Sequence, residues 1–301
     1  MKAPTLLALT ALSGFAACSS SSKKPVTPSG GGTQDAGQAF AFKIGMHDAF
    51  ALKDGDLTLP NDGKVLAVGH VEEAGELLVK AGLPRDQLAL SIQPLLVKDG
   101  EHVLLFDTGA GGAMGTAGTL AASLGKTGVA AAEVTDIFIS HAHPDHTGGL
   151  LTADGALIYP NATIHLSAPE WAFLQSQTDA KAVVDGITAK VVPFEPGAEI
   201  LPDVRAVATP GHTPGHSSYV IGTGADQLFY LGDLAHHSIV SVQQPSWQIQ
   251  FDGDHAAAGA MRQQTLSALA ADHMRVYVVH FPFPGLGHFA DQGGTVVWQA
   301  E

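Results

Sequence analysis

The stretch Ser140-His141-Ala142-His143-Pro144-Asp145-His146 constrains this 301-residue chain more than any other. Directly before it stands Thr135-Asp136-Ile137-Phe138-Ile139, filled by β-branched and aromatic residues without a helical period, which predicts a buried strand. The polar groups therefore leave the end of a rigid element. Side chains alternate faces along extended backbone, so His141 and His143 point the same way, while Pro144 breaks the strand and turns Asp145 and His146 toward a second point nearby. Imidazole and carboxylate suit zinc and neighbouring transition metals, and one divalent ion could not use all four groups and still keep an open position for water. The pattern predicts a two-ion centre. A solvated polar loop accounts for any one of these residues, but poorly for three histidines and an aspartate packed behind a buried strand.

His-x-His-x-Asp-His behind such a strand resembles the signature of the metallo-β-lactamase superfamily. The resemblance runs from about Phe40 to the C-terminus and implies the α/β class, as a four-layer αββα sandwich. Val204 to Thr209 reads as a strand delivering Pro210-Gly211-His212-Thr213-Pro214-Gly215-His216; Gln227 to Leu231 reads as another, ending in Gly232-Asp233; and Arg275 to Val279 ends at His280. By resemblance, His141, His143 and His212 hold one metal, Asp145, His146 and His280 the other, and Asp233 bridges them. His216 and Asp107, in Asp107-Thr108-Gly109, belong to the shell that orients the ligands. His288 competes with His280, but a ligand at a strand end is better fixed than one in a glycine-flanked loop. Gly232-Asp233-Leu234, Tyr159-Pro160-Asn161-Ala162 and the tract Phe281 to His288 look most like the methyl parathion hydrolase branch.

Elsewhere the pattern is plainer. Phe40 to Asp56 reads as a strand and a turn, Val71 to Ala81 as an amphipathic helix stopped by Gly82 and Pro84, and Leu88 to Lys98 with Val103 to Phe106 as two strands joined at Asp99-Gly100. Thr116 to Leu124 and Ala131 to Val134 are helical in propensity, and Thr163 to Leu166 is a short strand. Ser167-Ala168-Pro169-Glu170 reads as a capping box opening a helix, and Asp254 caps a second one from His255 to Ala271. Gly109, Gly111, Gly112 and Gly115 lack both a dinucleotide fingerprint and a P-loop lysine, so no nucleotide site is expected. His47 is given no role.

Lys and Arg total 15 against 29 Asp and Glu, a formal charge of −14, which disfavours nucleic acid and anionic lipid as partners. Residues 1–18 read as an export signal: Lys2, an apolar stretch from Leu6 to Phe15 too short to span a bilayer, then Ala16-Ala17-Cys18. With Ser19 to Ser22 behind it, Cys18 resembles the acylation site of a bacterial lipoprotein. Phe15 departs from the leucine usual three residues earlier, so ordinary signal-peptidase cleavage stays open. The periplasm or an outer-membrane anchor at Cys18 is the expected location. Residues 19–39, rich in Ser, Gly and Pro, read as a flexible tether. Cys18 is the one cysteine in the chain, so neither an internal disulfide nor a thiolate metal ligand is available.

Two divalent ions about 3.5–4 Å apart would lower the pKa of a shared water, giving a hydroxide that attacks carbon or phosphorus. Zinc is the first expectation, with manganese, cobalt or iron as alternatives. Asp145 is read as part of this catalytic centre and His236 as the proton donor to the leaving group. In the superfamily's acyl-homoserine lactonases a tyrosine stands three residues after the bridging aspartate, where this chain has His236. His237 is an alternative donor, and a solvated His236-His237 pair is an equal reading. The expectation is a hydrolase of small neutral esters, lactones or phosphotriesters. A β-lactamase would do without Asp233, a glutathione thioesterase would want more than Arg262 and Arg275 after His212, and a flavo-diiron oxidoreductase would need acidic ligand changes and a flavin module. The rival from another class is a metal-stabilised binding lipoprotein, although no ligand is missing. A homodimer stays open.

Overall fold

A computed structural model describes residues 37–301. The export signal with Cys18, and the tether as far as residue 36, lie outside the described residues. The strands are β1 (Gln38–Ile44), β2 (His47–Lys53), β3 (Gly55–Pro60), β4 (Gln87–Ile92), β5 (Leu95–Asp99), β6 (His102–Phe106), β7 (Asp136–Phe138) and β8 (Thr163–Ser167). They continue as β9 (Val191–Phe194), β10 (Glu199–Leu201), β11 (Val204–Ala208), β12 (Ser217–Ile221), β13 (Leu228–Tyr230), β14 (Arg275–Tyr277), β15 (Leu286–Gln292) and β16 (Thr295–Ala300). The helices are α1 (Val71–Lys80), α2 (Leu120–Gly125), α3 (Pro144–Thr147), α4 (Ala168–Ser176), α5 (Lys181–Ile187), α6 (Val240–Gln243) and α7 (His255–Ala271).

Two seven-stranded sheets run in the orders β1-β2-β5-β6-β7-β8-β9 and β10 through β16, and β3 and β4 form a separate hairpin. The inner faces meet in a core of Ala49, Leu95, Val97, Leu104, Phe106 and Phe138 against Tyr219, Ile221, Leu228, Tyr230 and Tyr277. On the outer face of the first sheet, Leu52, Leu105, Ile137 and Ile164 bury Leu120 and Leu124 of α2, Leu174 of α4 and Ile187 of α5. On the outer face of the second, Val220, Phe229, Val276 and Phe289 bury Leu266, Leu269 and Ala270 of α7. This is the four-layer αββα sandwich expected from the sequence. A fourth cluster, Leu66, Ala74, Leu78, Leu88, Leu90, Val240 and Ile249, binds the β3–β4 hairpin, α1 and α6 into one wall beside the metal loops.

Three local readings change. Phe40 to Asp56 is a β1–β2 hairpin turned at Gly45, whose φ of 56° is left-handed, followed by the start of β3. Leu88 to Lys98 is two strands in different sheets. Pro94 cannot donate to a ladder, and the buried Gln93 amide donates instead to the carbonyls of Val278 and Phe281 at 2.9 Å each, so β4 leaves the line of β5. Thr116 to Leu124 is helical only from Leu120, because the Asp54 carboxylate accepts from Gly118 N and Leu120 N and holds the preceding turn. Asp99-Gly100 makes the expected β5–β6 turn.

Candidate metal centre

The donors stand in the segments that follow β7, β11, β13 and β14, and Asp107 follows β6, which pairs in parallel with β7 as β13 does with β14. After Phe138 the chain leaves the strand and bends at Ser140, and Pro144 then opens the single turn α3, which brings the His146 ring to 4.0 Å from that of His141, against 4.6 Å between His141 and His143. Gly232 adopts φ 60°, and a Cβ there would lie 2.7 Å from His216 Nε2; its absence lets Asp233 N donate to that nitrogen at 2.9 Å.

Two donor sets result. His141, His143, His212 and Asp233 each offer a ligand atom within 4.8 Å of the others, and so do Asp145, His146, Asp233 and His280. Asp233 is common to both. His212 Nε2 stands 2.9 Å from His143 Nδ1 and 3.2 Å from His141 Nε2, and Asp233 Oδ1 stands 3.2 Å from His146 Nε2 and 3.0 Å from His280 Nε2. His146 Nε2 and Asp233 Oδ1 are nonetheless buried without an aligned hydrogen-bond partner.

The outward contacts fix which nitrogen is free. His212 Nδ1–H donates to Asp252 at 2.9 Å, His146 Nδ1–H to Asp107 at 2.7 Å and His280 Nδ1–H to the Ser91 carbonyl at 2.7 Å. Each ring therefore turns a lone pair inward, toward other lone pairs. Burial lowers the pKa of His141 and His143 and brings His212 down to about 3, leaving these three in the neutral form that ligates. Burial alone would lower His146 and His280 as well, but the Asp233 carboxylate raises both. Burial would raise Asp233, and the surrounding His280, His146, His236 and His141 hold it well below the usual carboxylate range. Buried lone pairs converging without aligned donors fit cations: the residues present suit two divalent metal ions.

The supporting shell is more extensive than its sequence suggested. Asp107 is fully buried at φ 58°, and accepts from Ser140 N, Ser140 Oγ, His146 Nδ1 and the Tyr230 hydroxyl. His216 accepts from Asp233 N and donates Nδ1–H to Thr209; burial brings its pKa down to about 3. Asp252 was not singled out from sequence. Burial would raise its carboxyl, but the hydrogen bond from His212 and the Arg262 guanidinium at 2.7 Å bring it down to about 2. Glu170 departs from the capping box its sequence predicts: Ser167 does accept from Glu170 N, but the Glu170 carboxylate reaches away from the helix to Ala142, Thr213 and Gly215. No local signal separates that arrangement from a reciprocal capping box.

His236 and His237 are both buried, not a solvated pair. His237 Nδ1 accepts from Ile239 N and Val240 N at the start of α6, and so serves the fold. His236 lies over the centre, with Nε2 3.2 Å from Asp233 Oδ2 but out of hydrogen-bond alignment, and neither ring nitrogen has a partner. His280 holds the place for which His288 competed; His288 is half-exposed on β15, 3.8 Å from Glu301. His47 sits between Asp99 at 3.1 Å and Asp203 at 3.3 Å, joining the two sheets away from the centre. The centre opens into a cleft of about 410 Å³ walled by Leu57, Leu90, Ile92, Met114, Gln250 and Phe251, with His143, Asp145, Asp233, His236 and His280 at its floor. No Lys or Arg lines it.

Residues 90–280, more than half of the chain, match the profile of the metallo-beta-lactamase superfamily. The chain belongs to that superfamily. N-acyl homoserine lactonases of Bacillus sp and Bacillus cereus are 32% identical over 102 residues and 30% identical over 110. Those matches cover 33% and 36% of this chain, and it spans only 38% and 41% of those proteins' lengths. Among solved structures, AidC, a dizinc quorum-quenching lactonase in complex with a product, superposes with a TM-score of 0.85 at 30% identity, over 89% of this chain and 98% of that one. The hydrolase AbOPH of the beta lactamase superfamily superposes at 0.80 and 25% identity, over 89% and 99%. The chain is thus a member of the superfamily with lactonases among its neighbours, and the methyl parathion hydrolase branch is not distinguished.

Proposed function

We propose that the protein is a dinuclear-metal hydrolase of small neutral substrates, with lactones first and esters of similar shape beside them. The observation that carries this reading is the pair of donor sets sharing Asp233 at the floor of an apolar cleft. His141, His143 and His212 would hold one divalent ion and Asp145, His146 and His280 the other. Such ions, when bound, supply Lewis acidity toward the scissile carbonyl and make water nucleophilic near neutral pH. Asp233 places one carboxylate oxygen toward each set. His236, with both nitrogens unengaged over the centre, donates a proton to the departing alkoxide. The walls Leu57, Leu90, Ile92 and Phe251 exclude water and take an apolar chain. Likeness to AidC supports lactones as the first bond type. Phosphotriesters are the second reading, favoured by His236 standing where the lactonases of the superfamily carry a tyrosine.

The metal-loaded protein should turn over neutral lactones and aryl esters faster than β-lactams, and elemental analysis should give two ions per chain. Chelation should abolish activity, and zinc, manganese or cobalt should restore it. One ion per chain under metal-replete conditions, or turnover confined to β-lactams, would refute the reading. We further propose export and lipid attachment at Cys18. Fractionation of Cys18→Ser should then find it released from the membrane, and unchanged partition would exclude the anchor.

A further inference from the structure

Glu170 is fully buried on the first turn of α4, yet it serves neither that helix nor a salt bridge. Its Oε1 accepts from Ala142 N at 2.7 Å, between His141 and His143. Its Oε2 accepts from the Thr213 hydroxyl at 2.7 Å and from Gly215 N at 2.9 Å, just after His212. One carboxylate therefore ties together the two loops that carry the three histidines. A second observation shows the seating to be tight: a Cβ on Gly215 would lie 2.2 Å from Glu170 N and 2.5 Å from Ser167 Oγ, and Ser167 Oγ donates to the Gly215 carbonyl at 2.6 Å. The other donor set has different supports, with Asp107 behind His146 and the Ser91 carbonyl behind His280.

We propose that Glu170 is a positioning residue that sets the affinity of the His141–His143–His212 metal site independently of the other. This inference rests on the dinuclear reading above. The chemistry makes the isosteric variant informative. Glu170 uses both oxygens as acceptors for three donors, whereas glutamine offers one acceptor oxygen and one NH2 group. In either amide orientation, Ala142 N–H or Gly215 N–H faces another donor, and the loops part.

The test is zinc titration against a competing chelator, with the visible spectrum of the cobalt-substituted protein, for wild type, Glu170→Gln, His212→Ala and His280→Ala. In a folded Glu170→Gln, one of the two ions should bind roughly 10- to 100-fold more weakly, the size typical when a group orienting metal ligands is lost. The residual cobalt spectrum should match that of His212→Ala and not that of His280→Ala. Wild-type affinity for both ions in Glu170→Gln, or equal weakening of both, would overturn the proposal. If Glu170→Gln does not fold, Thr213→Val decides: weakening of the same ion supports the assignment and two wild-type affinities refute it. Fewer than two ions in the wild type itself would overturn the dinuclear reading, and this inference with it.

Discussion

His236 and Asp107 show how single residues divide the labour at this centre. Asp107 adopts φ 58°, a conformation unfavourable for a side chain with a Cβ, and four donated hydrogen bonds hold it there. Its work is structural: it keeps the His146 proton on Nδ1 and the Nε2 lone pair inward. His236 has no such partner at either ring nitrogen, which suits the proton-donor role proposed for it. His236→Ala should therefore leave the metal content at the wild-type level while lowering kcat on alkyl lactones by about 100-fold, the low end of general acid contributions. On 4-nitrophenyl esters, whose leaving group departs without protonation, the loss should be under about 10-fold. Equal losses on both substrates would remove His236 from the proton-donor role.

Among the elements, α7 supports the second ligand loop through Asp254 N, which donates to the Gly211 carbonyl, and through Arg262. Asp254 caps it by accepting from Ala257 N, as its sequence indicates, and its buried Arg262 reaches back toward the centre. The guanidinium donates to the carbonyls of Leu234 and Pro245 and to Asp252, which in turn holds His212. Arg262→Leu would leave a buried carboxylate uncompensated, a change that destabilises by about 3–5 kcal/mol. The guanidinium chloride midpoint should fall accordingly at constant slope. The double variant Arg262→Leu/Asp252→Asn should recover part of the stability, since an amide carries no charge to compensate and its oxygen can still accept from His212 Nδ1–H. A single variant within about 0.5 kcal/mol of wild type would show that Asp252 finds other partners.

For the whole molecule, charge and its placement set an expectation for which substrates would approach. The formal charge is −14, and neither of the two cations after His212 lines the cleft: Arg262 is buried behind it against Asp252, and Arg275 donates to Glu301 and to the Lys43 carbonyl. Lys43 and Arg275 line a groove of about 700 Å³ at the starts of β13 and β14, whereas Asp233 and His280 follow the ends of those strands. An anionic tail in the cleft would thus meet apolar walls and an acidic surface. Neutral lactones or esters should show higher kcat/KM than matched monoanions. The gap should narrow from 0.01 M to 1 M salt, as the screening length falls from about 30 Å to about 3 Å. A preference for the anion that persists at high salt would return phosphodiesters and thioesters to first place.

What the sequence determined by itself is the local part of this arrangement. His141 to His146, Pro210 to His216, Asp233 and His280 each follow a strand whose apolar run is visible without any partner, and α7 with its cap was legible to the residue. These features depend on side-chain period, proline and glycine, which act within a few residues. The tertiary structure decided what lies across the chain. Gln93 splits one apolar run between two sheets by donating to carbonyls 185 and 188 residues away, and Glu170 abandons its own helix cap for groups 28, 43 and 45 residues away. Asp252 meets His212 across 40 residues, and His236 is buried over the centre instead of solvated. A buried polar group must satisfy its hydrogen bonds wherever packing places a donor, and that choice is made by the whole fold, not by the neighbours in sequence.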